Sequence, residues 1–272
     1  EFGSSKPYFS PAALNFSGYN CIAVGCKLPE LEYFYTEHSS LWQDLIDRHD
    51  FHIAAGGTVS IATPFEKARV PHLVWCASDV YGDRFARQKA MSVLRRIVDK
   101  SLVMPGLKSQ EKKVLCGQGR VLAISPFTRN CLSASASVET NKISVLPVPV
   151  DMKYFTPPIK PLSAITLGFA GRLTDPRKNA PMLFEVVALI RKHGVDANLK
   201  ITGKTNPKLD DQIRGRGLNG CVSFTGILNR EELRKFYQGL TVFIIASHQE
   251  GLSIVGIEAM ASGVPVGSTR CG

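Results

Sequence analysis

Residues 165–179 read Ile165-Thr166-Leu167-Gly168-Phe169-Ala170-Gly171-Arg172-Leu173-Thr174-Asp175-Pro176-Arg177-Lys178-Asn179. The apolar run Ile165–Ala170 has strand length, and Gly171 supplies a tight exit from it. A polar loop follows, and Pro181–Lys192 then predicts a helix. Strand, loop and helix in succession are the repeating piece of a parallel α/β sheet. Further strands are expected at Leu199–Thr202, Val222–Phe224, Val242–Ala246 and Val264–Val266. Further helices are expected at Leu209–Arg214, Arg230–Gln238 and Ser253–Ser262.

Upstream the same alternation is fainter. Short apolar runs at Asn20–Val24, His52–Ala55, Pro71–Cys76 and Val121–Ile124 read as strands. Leu41–His49 reads as a helix, and Arg87–Val98 as another with Met91, Leu94, Ile97 and Val98 turned inward. Ser125-Pro126 follows the fourth run as a cap and first helical residue. Five of the sixteen prolines fall between Pro147 and Pro161, a cluster that continues neither a helix nor a central strand. The expected organisation is residues 1–155 as one α/β domain, 156–162 as linker and 163–272 as a second domain. Glu1–Ser5 reads as a cloning scar or an internal cut point.

Composition narrows the function classes. A 44% apolar and 21% charged chain is that of a globular protein, and no apolar run approaches bilayer-spanning length. Seven scattered cysteines without a C-x-x-C pair fit reduced thiols in a cytosolic protein, with neither a disulfide frame nor a zinc site. The net charge of +10 favours acidic partners and permits peripheral contact with an anionic membrane. It is spread over both parts, with 17 basic and 13 acidic side chains up to residue 150 and 16 and 10 beyond it. Nucleic-acid binding concentrates its charge, so no nucleic-acid partner is expected.

Two segments carry chemistry. In open α/β sheets ligands sit beyond the carboxyl ends of strands, which is where Gly171–Asn179 falls. The fork of Arg172 and the point charge of Lys178 suit phosphate oxygens, and the following helix start adds partial positive charge. The second segment, Glu250-Gly251-Leu252-Ser253-Ile254-Val255-Gly256-Ile257-Glu258-Ala259-Met260-Ala261, follows the strand Val242–Ala246. A carboxylate such as Glu258, in so apolar a stretch, requires a partner. Backbone N–H groups near Gly251–Ser253 suit a diphosphate. Gly56-Gly57, His248, Ser125 and Arg129 are lesser candidates, each adequately explained by a turn, a loop or a cap.

Taken together, Phe169–Leu173, Arg177–Asn179 and Glu250–Val266, in that order and each at a strand exit, resemble the donor-binding domain of family-4 retaining glycosyltransferases. The resemblance covers residues 165–272 and implies the GT-B fold, two Rossmann-like domains facing a central cleft. It implies transfer of a sugar from a nucleoside-diphosphate sugar to an acceptor hydroxyl. No metal or other cofactor takes part, and the chain holds no D-x-D motif. Arg172 and Lys178 would bind the diphosphate and stabilise the leaving nucleotide, with Gly171 allowing close approach. Glu250 would contact the transferred sugar, Gly251 and Leu252 would assist through backbone N–H groups, and Glu258 would hold the ribose. The acceptor, whether sugar, lipid-linked or small molecule, is not specified.

The sequence also departs from that family. No opening strand with a glycine-rich loop is recognised before Asn20, and Cys76-Ala77-Ser78-Asp79 stands where a histidine is usual. The chain stops at Gly272, so both domains read as truncated. Two other readings therefore stand beside transfer: a non-catalytic sugar-nucleotide-binding fragment, and another GT-B enzyme such as a sugar-nucleotide epimerase.

Overall fold

Along the strand β10 (Val242–Ile245), Ile244 is buried in one apolar cluster while Phe243 and Ile245 are buried in another. A strand buried on both faces belongs to the middle of a sheet covered on both sides. The structure, a computed structural model, describes residues 12–24, 31–36, 39–159 and 164–272. Residues 160–162 of the expected linker and Cys26 lie outside the described residues. By internal contacts the chain divides into two units, Glu1–Arg84 with Met91–Leu146, and Phe85–Ala90 with Pro147–Gly272.

In the second unit β7 (Ile165–Phe169), β8 (Ala197–Ile201), β9 (Val222–Phe224), β10 and β11 (Val266–Ser268) form one parallel sheet in the order β11-β10-β7-β8-β9. Counted from β7, this is the doubly wound order in which the chain turns back beside its first strand, between β7 and β10. Helices α7 (Ala180–Lys192) and α8 (Pro207–Gly215) cover one face around Leu183, Phe184 and Val187. Helices α9 (Arg230–Gln238) and α10 (Ile254–Ala261) contribute Phe236, Tyr237 and Ala259 to the cluster around Phe243. Gly168 is where that face is tightest, because a Cβ there would lie 2.1 Å from Leu240 Cδ1. The last strand begins two residues later than the sequence suggests, after Pro265, which has no N–H to give to a ladder.

In the first unit β3 (Ile53–Gly56), β4 (Leu73–Cys76), β5 (Arg120–Ala123) and β6 (Ile143–Val145) form a parallel sheet in chain order. Two expectations are corrected here. The run at Asn20–Val24 is not a strand of a parallel sheet. It is the second arm, β2 (Tyr19–Ala23), of an antiparallel hairpin with β1 (Ala12–Phe16). Ser17 and Gly18, with φ of 51° and 86°, make the two-residue turn that returns the chain directly. Nor is Arg87–Val98 one inward-facing helix. Helix α3 (Val80–Ala90) ends, Ser92 takes up extended geometry, and α4 (Val93–Val98) leaves Leu94 and Ile97 73% and 58% exposed.

A helix the sequence reading passed over, α5 (Met104–Cys116), buries Leu107, Val114 and Leu115 instead. Its Pro105-Gly106 looks like a helix breaker. Proline is nevertheless tolerated in a first turn, and the missing Cβ of Gly106 makes room for the Tyr33 ring. Helix α1 (Ser39–Asp47) falls near its expected place.

Candidate functional site

The loop after β7 is shaped by its own polar residues. Gly171, at φ 149°, donates its N–H to Thr202 Oγ1 at 3.1 Å. A Cβ there would stand 3.3 Å from the Phe169 ring and 3.7 Å from Lys178 Cε, so the lysine stem passes close by. Asp175 caps the short turn Pro176–Lys178 and grips the Arg177 guanidinium through both carboxylate oxygens. Burial pushes the Asp175 carboxyl up, but the hydrogen bonds and charge of Arg177 outweigh it and hold the carboxyl below its usual value. Arg177 is thereby committed to the loop. Asn179 then adopts a left-handed conformation (φ 50°, ψ 53°) that redirects the chain into α7.

Lys178 reaches across to the loop after β10, where its Nζ lies 2.6 Å from Glu250 Oε1. Ser247, 2% exposed, donates to the same oxygen at 2.5 Å. The Ser247 carbonyl in turn accepts from Thr269 Oγ1 at 2.6 Å. Backbone bonds fix the two loops further: His248 N–H to the Arg177 carbonyl and Glu250 N–H to the Cys271 carbonyl, both 2.7 Å. The Lys178 and Glu250 side chains are 21% and 16% exposed, so the pair is partly desolvated but reachable from solvent. Glu250 Oε2 has no partner among the described residues.

Ser253 caps α10, its hydroxyl accepting from Gly256 N–H. The backbone N–H groups of Gly251 and Leu252, just before that cap, meet no acceptor among the described residues. On the second turn of α10, Glu258 Oε2 accepts from the Tyr237 hydroxyl at 2.8 Å. Tyr237 is fully buried, and burial first, then the Glu258 charge and hydrogen bond, push its phenol pKa far above normal. It is therefore a permanent donor that orients the carboxylate.

The structure joins Gly171, Lys178 and Glu250 in one place, at the turning point between β7 and β10. Arg172 is exposed on the same loop and its side chain meets no partner among the described residues. Among the described residues the Glu258 carboxylate hydrogen-bonds Tyr237 and none of the other candidates. The sequence reading missed Ser247, Thr202 and Tyr237. Ser247, at a strand exit three residues before Glu250, was the one with a visible signal. His248 lines a cavity of about 530 Å³ with Asn179, Asn206 and Lys208. Ser125 is a helix cap for Thr128, and Gly56 and Gly57 carry carbonyls that accept from Ala77 and Ser78. Among the described residues, no group of three or more His, Cys, Asp or Glu side chains is arranged to hold a metal ion.

A parallel sheet with this strand order is a doubly wound, Rossmann-like α/β unit, and the paired loops lie at its turning point, where such sheets take ligands. Residues 164–272, most of the second unit, match the family described as Glycosyl transferases group 1. Among curated relatives, the D-inositol 3-phosphate glycosyltransferase of Arthrobacter sp. (strain FB24) is 29% identical over 177 residues, covering 60% of this chain and 42% of that protein. The MMP alpha-(1->4)-mannosyltransferase of Mycolicibacterium hassiacum is 27% identical over 169 residues, covering 61% and 41%. The chain thus spans well under half the length of these relatives. Among solved structures, sucrose-phosphate synthase from Thermosynechococcus elongatus matches 98% of this chain and 69% of its own, with a TM-score of 0.73 at 18% identity. That likeness establishes the GT-B fold.

Proposed function

We propose that the protein is a retaining glycosyltransferase that takes a sugar from a nucleoside-diphosphate sugar without a metal ion and passes it to an acceptor hydroxyl. The observation that carries this reading is the Lys178–Glu250 pair, 2.6 Å apart at the β7/β10 turning point. An ammonium and a carboxylate placed side by side offer one group to a diphosphate and the other to sugar hydroxyls. Sugar departure builds negative charge on the diphosphate, and Lys178 with the unengaged Arg172 fork supplies preorganised positive charge there. The N–H groups of Gly251 and Leu252 add donors, and Glu258, held by Tyr237, presents its second oxygen to the ribose hydroxyls.

The relatives' printed names, a D-inositol 3-phosphate glycosyltransferase and an MMP alpha-(1->4)-mannosyltransferase, support the transferase class. No helix among the described residues is long and apolar enough to cross a membrane. The free cysteines support a cytoplasmic setting, and the charge of +10 supports peripheral membrane contact. Calorimetric titration of UDP, GDP and ADP onto the parent and Arg172→Ala tests the reading. Arg172→Ala is expected to lose about 1–3 kcal/mol of affinity for whichever diphosphate binds, with a reduced salt dependence. Unchanged binding of all three would remove the phosphate assignment.

A further inference from the structure

The first unit carries a solvent-open pocket of about 400 Å³ that plays no part in the reading above. It lies among the β1–β2 hairpin, α1, α5 and the turn that follows β3. Three residues lining it, Trp42, Ser60 and Gln110, each keep a buried polar atom without a hydrogen-bond partner among the described residues: the indole N–H, the hydroxyl and the amide oxygen. Ser60 and Gln110 are only 6% and 8% exposed. The Gln110 amide cannot be reversed to relieve this. Its nitrogen donates to the Tyr33 carbonyl at 2.9 Å and to Thr36 Oγ1 at 3.1 Å, and an oxygen there would face another oxygen.

Unpaired buried polar groups are rare, and several bordering one cavity imply that something else meets them. The indole can only donate, the amide oxygen can only accept, and the serine does either. Hydroxyl groups answer all three at once. Trp42, Tyr35, Ile61 and Leu107 provide apolar wall for the C–H faces of a ring. No lysine, arginine or histidine is among the described lining residues, and the one carboxylate, Glu32, is paired with Arg84 at 2.7 Å. The lining therefore favours neither an anion nor a cation, and the volume falls within the range of small-molecule sites.

We propose that this cavity is a binding site for a neutral polyhydroxylated molecule of monosaccharide or cyclitol size, held by Trp42, Ser60 and Gln110. The inference does not rest on the nucleotide-sugar reading, which concerns the other unit. The protein has two tryptophans, so Trp75→Phe leaves Trp42 as the only indole reporter. That variant is titrated with D-glucose and myo-inositol, with inorganic phosphate as the charged control, following emission and thermal unfolding. A saturable emission change and a raised melting temperature with at least one polyol, and neither with phosphate, is the expected result. Adding Ser60→Ala should weaken polyol binding at least tenfold while leaving the melting temperature without polyol equal or higher, since an unpaired group is removed; Gln110→Leu should weaken binding as much but lower that temperature, because it also gives up the bonds to Tyr33 and Thr36. If neither polyol changes emission or melting temperature, the cavity holds water alone and the proposal falls. It falls equally if Gln110→Leu binds as tightly as its parent.

Discussion

The shared oxygen of Glu250 makes a sharp test of the proposed site. Lys178 is held at 2.6 Å by the carboxylate, so a diphosphate must compete with Glu250 for the ammonium and approach its negative charge. Glu250→Gln removes both obstacles while keeping an acceptor for Ser247. For a carboxylate about 7 Å from a phosphate charge and an effective dielectric of about 40, the repulsion relieved is about 1 kcal/mol. Free diphosphate should therefore bind Glu250→Gln about fivefold more tightly, whereas the sugar conjugate, deprived of a charged hydroxyl partner, should bind less tightly. Lys178→Met should weaken the free diphosphate by about 1–3 kcal/mol. In the double variant the part of the gain that acts through release of Lys178 should vanish, while the part from relieved repulsion should remain. Calorimetry on the four proteins, at low and high salt, measures the coupling directly. Equal losses for diphosphate and conjugate in Glu250→Gln, or strictly additive effects, would refute the division of roles.

Three further outcomes are expected. Tyr237→Phe frees the Glu258 carboxylate and should weaken both nucleotide and nucleotide-sugar by about 1–2 kcal/mol alike; calorimetry showing loss for the conjugate alone would remove Glu258 from the ribose. Gly168→Ala drives a methyl into Leu240, itself 3% exposed, and should destabilise the second unit by about 1–3 kcal/mol in denaturant titration. Glu111 accepts from Val80 N–H at 2.8 Å, and burial raises its carboxyl pKa above 4.5. The folded state thus holds that proton more tightly than the unfolded chain, so its stabilising effect is full below about 4.5 and is lost as pH rises through the raised value. Glu111→Gln should flatten the decline of stability with rising pH, and parallel stability curves for the two proteins would refute this.

In the second unit the strands of the sheet were largely legible in the sequence, because each is a short apolar run bounded by glycine, proline or polar loop. Arg230–Gln238 was located to the residue, its start marked by Asn229 and Glu232, which form a capping box. The order β11-β10-β7-β8-β9 was not legible, since nothing local says which strands lie side by side. In the first unit the two-residue turn of Ser17 and Gly18 is a local signal that the sequence reading passed over, and Pro105 looks like a breaker although it stands in the first turn of α5. Only the tertiary structure shows why residue 106 is a glycine, since the distant Tyr33 ring packs against it.

For the candidate site, residue type, strand-exit position and the family resemblance singled out Gly171, Arg172, Lys178, Glu250 and Glu258 as candidates. They could not show that Arg177 is consumed by Asp175, that Ser247 shares Glu250 Oε1 with Lys178, or that Tyr237 holds Glu258. A sequence records which charges each loop carries. Only the packed sheet brings residues 72 positions apart to within 2.6 Å and so decides which charges are spent on each other and which remain for a ligand.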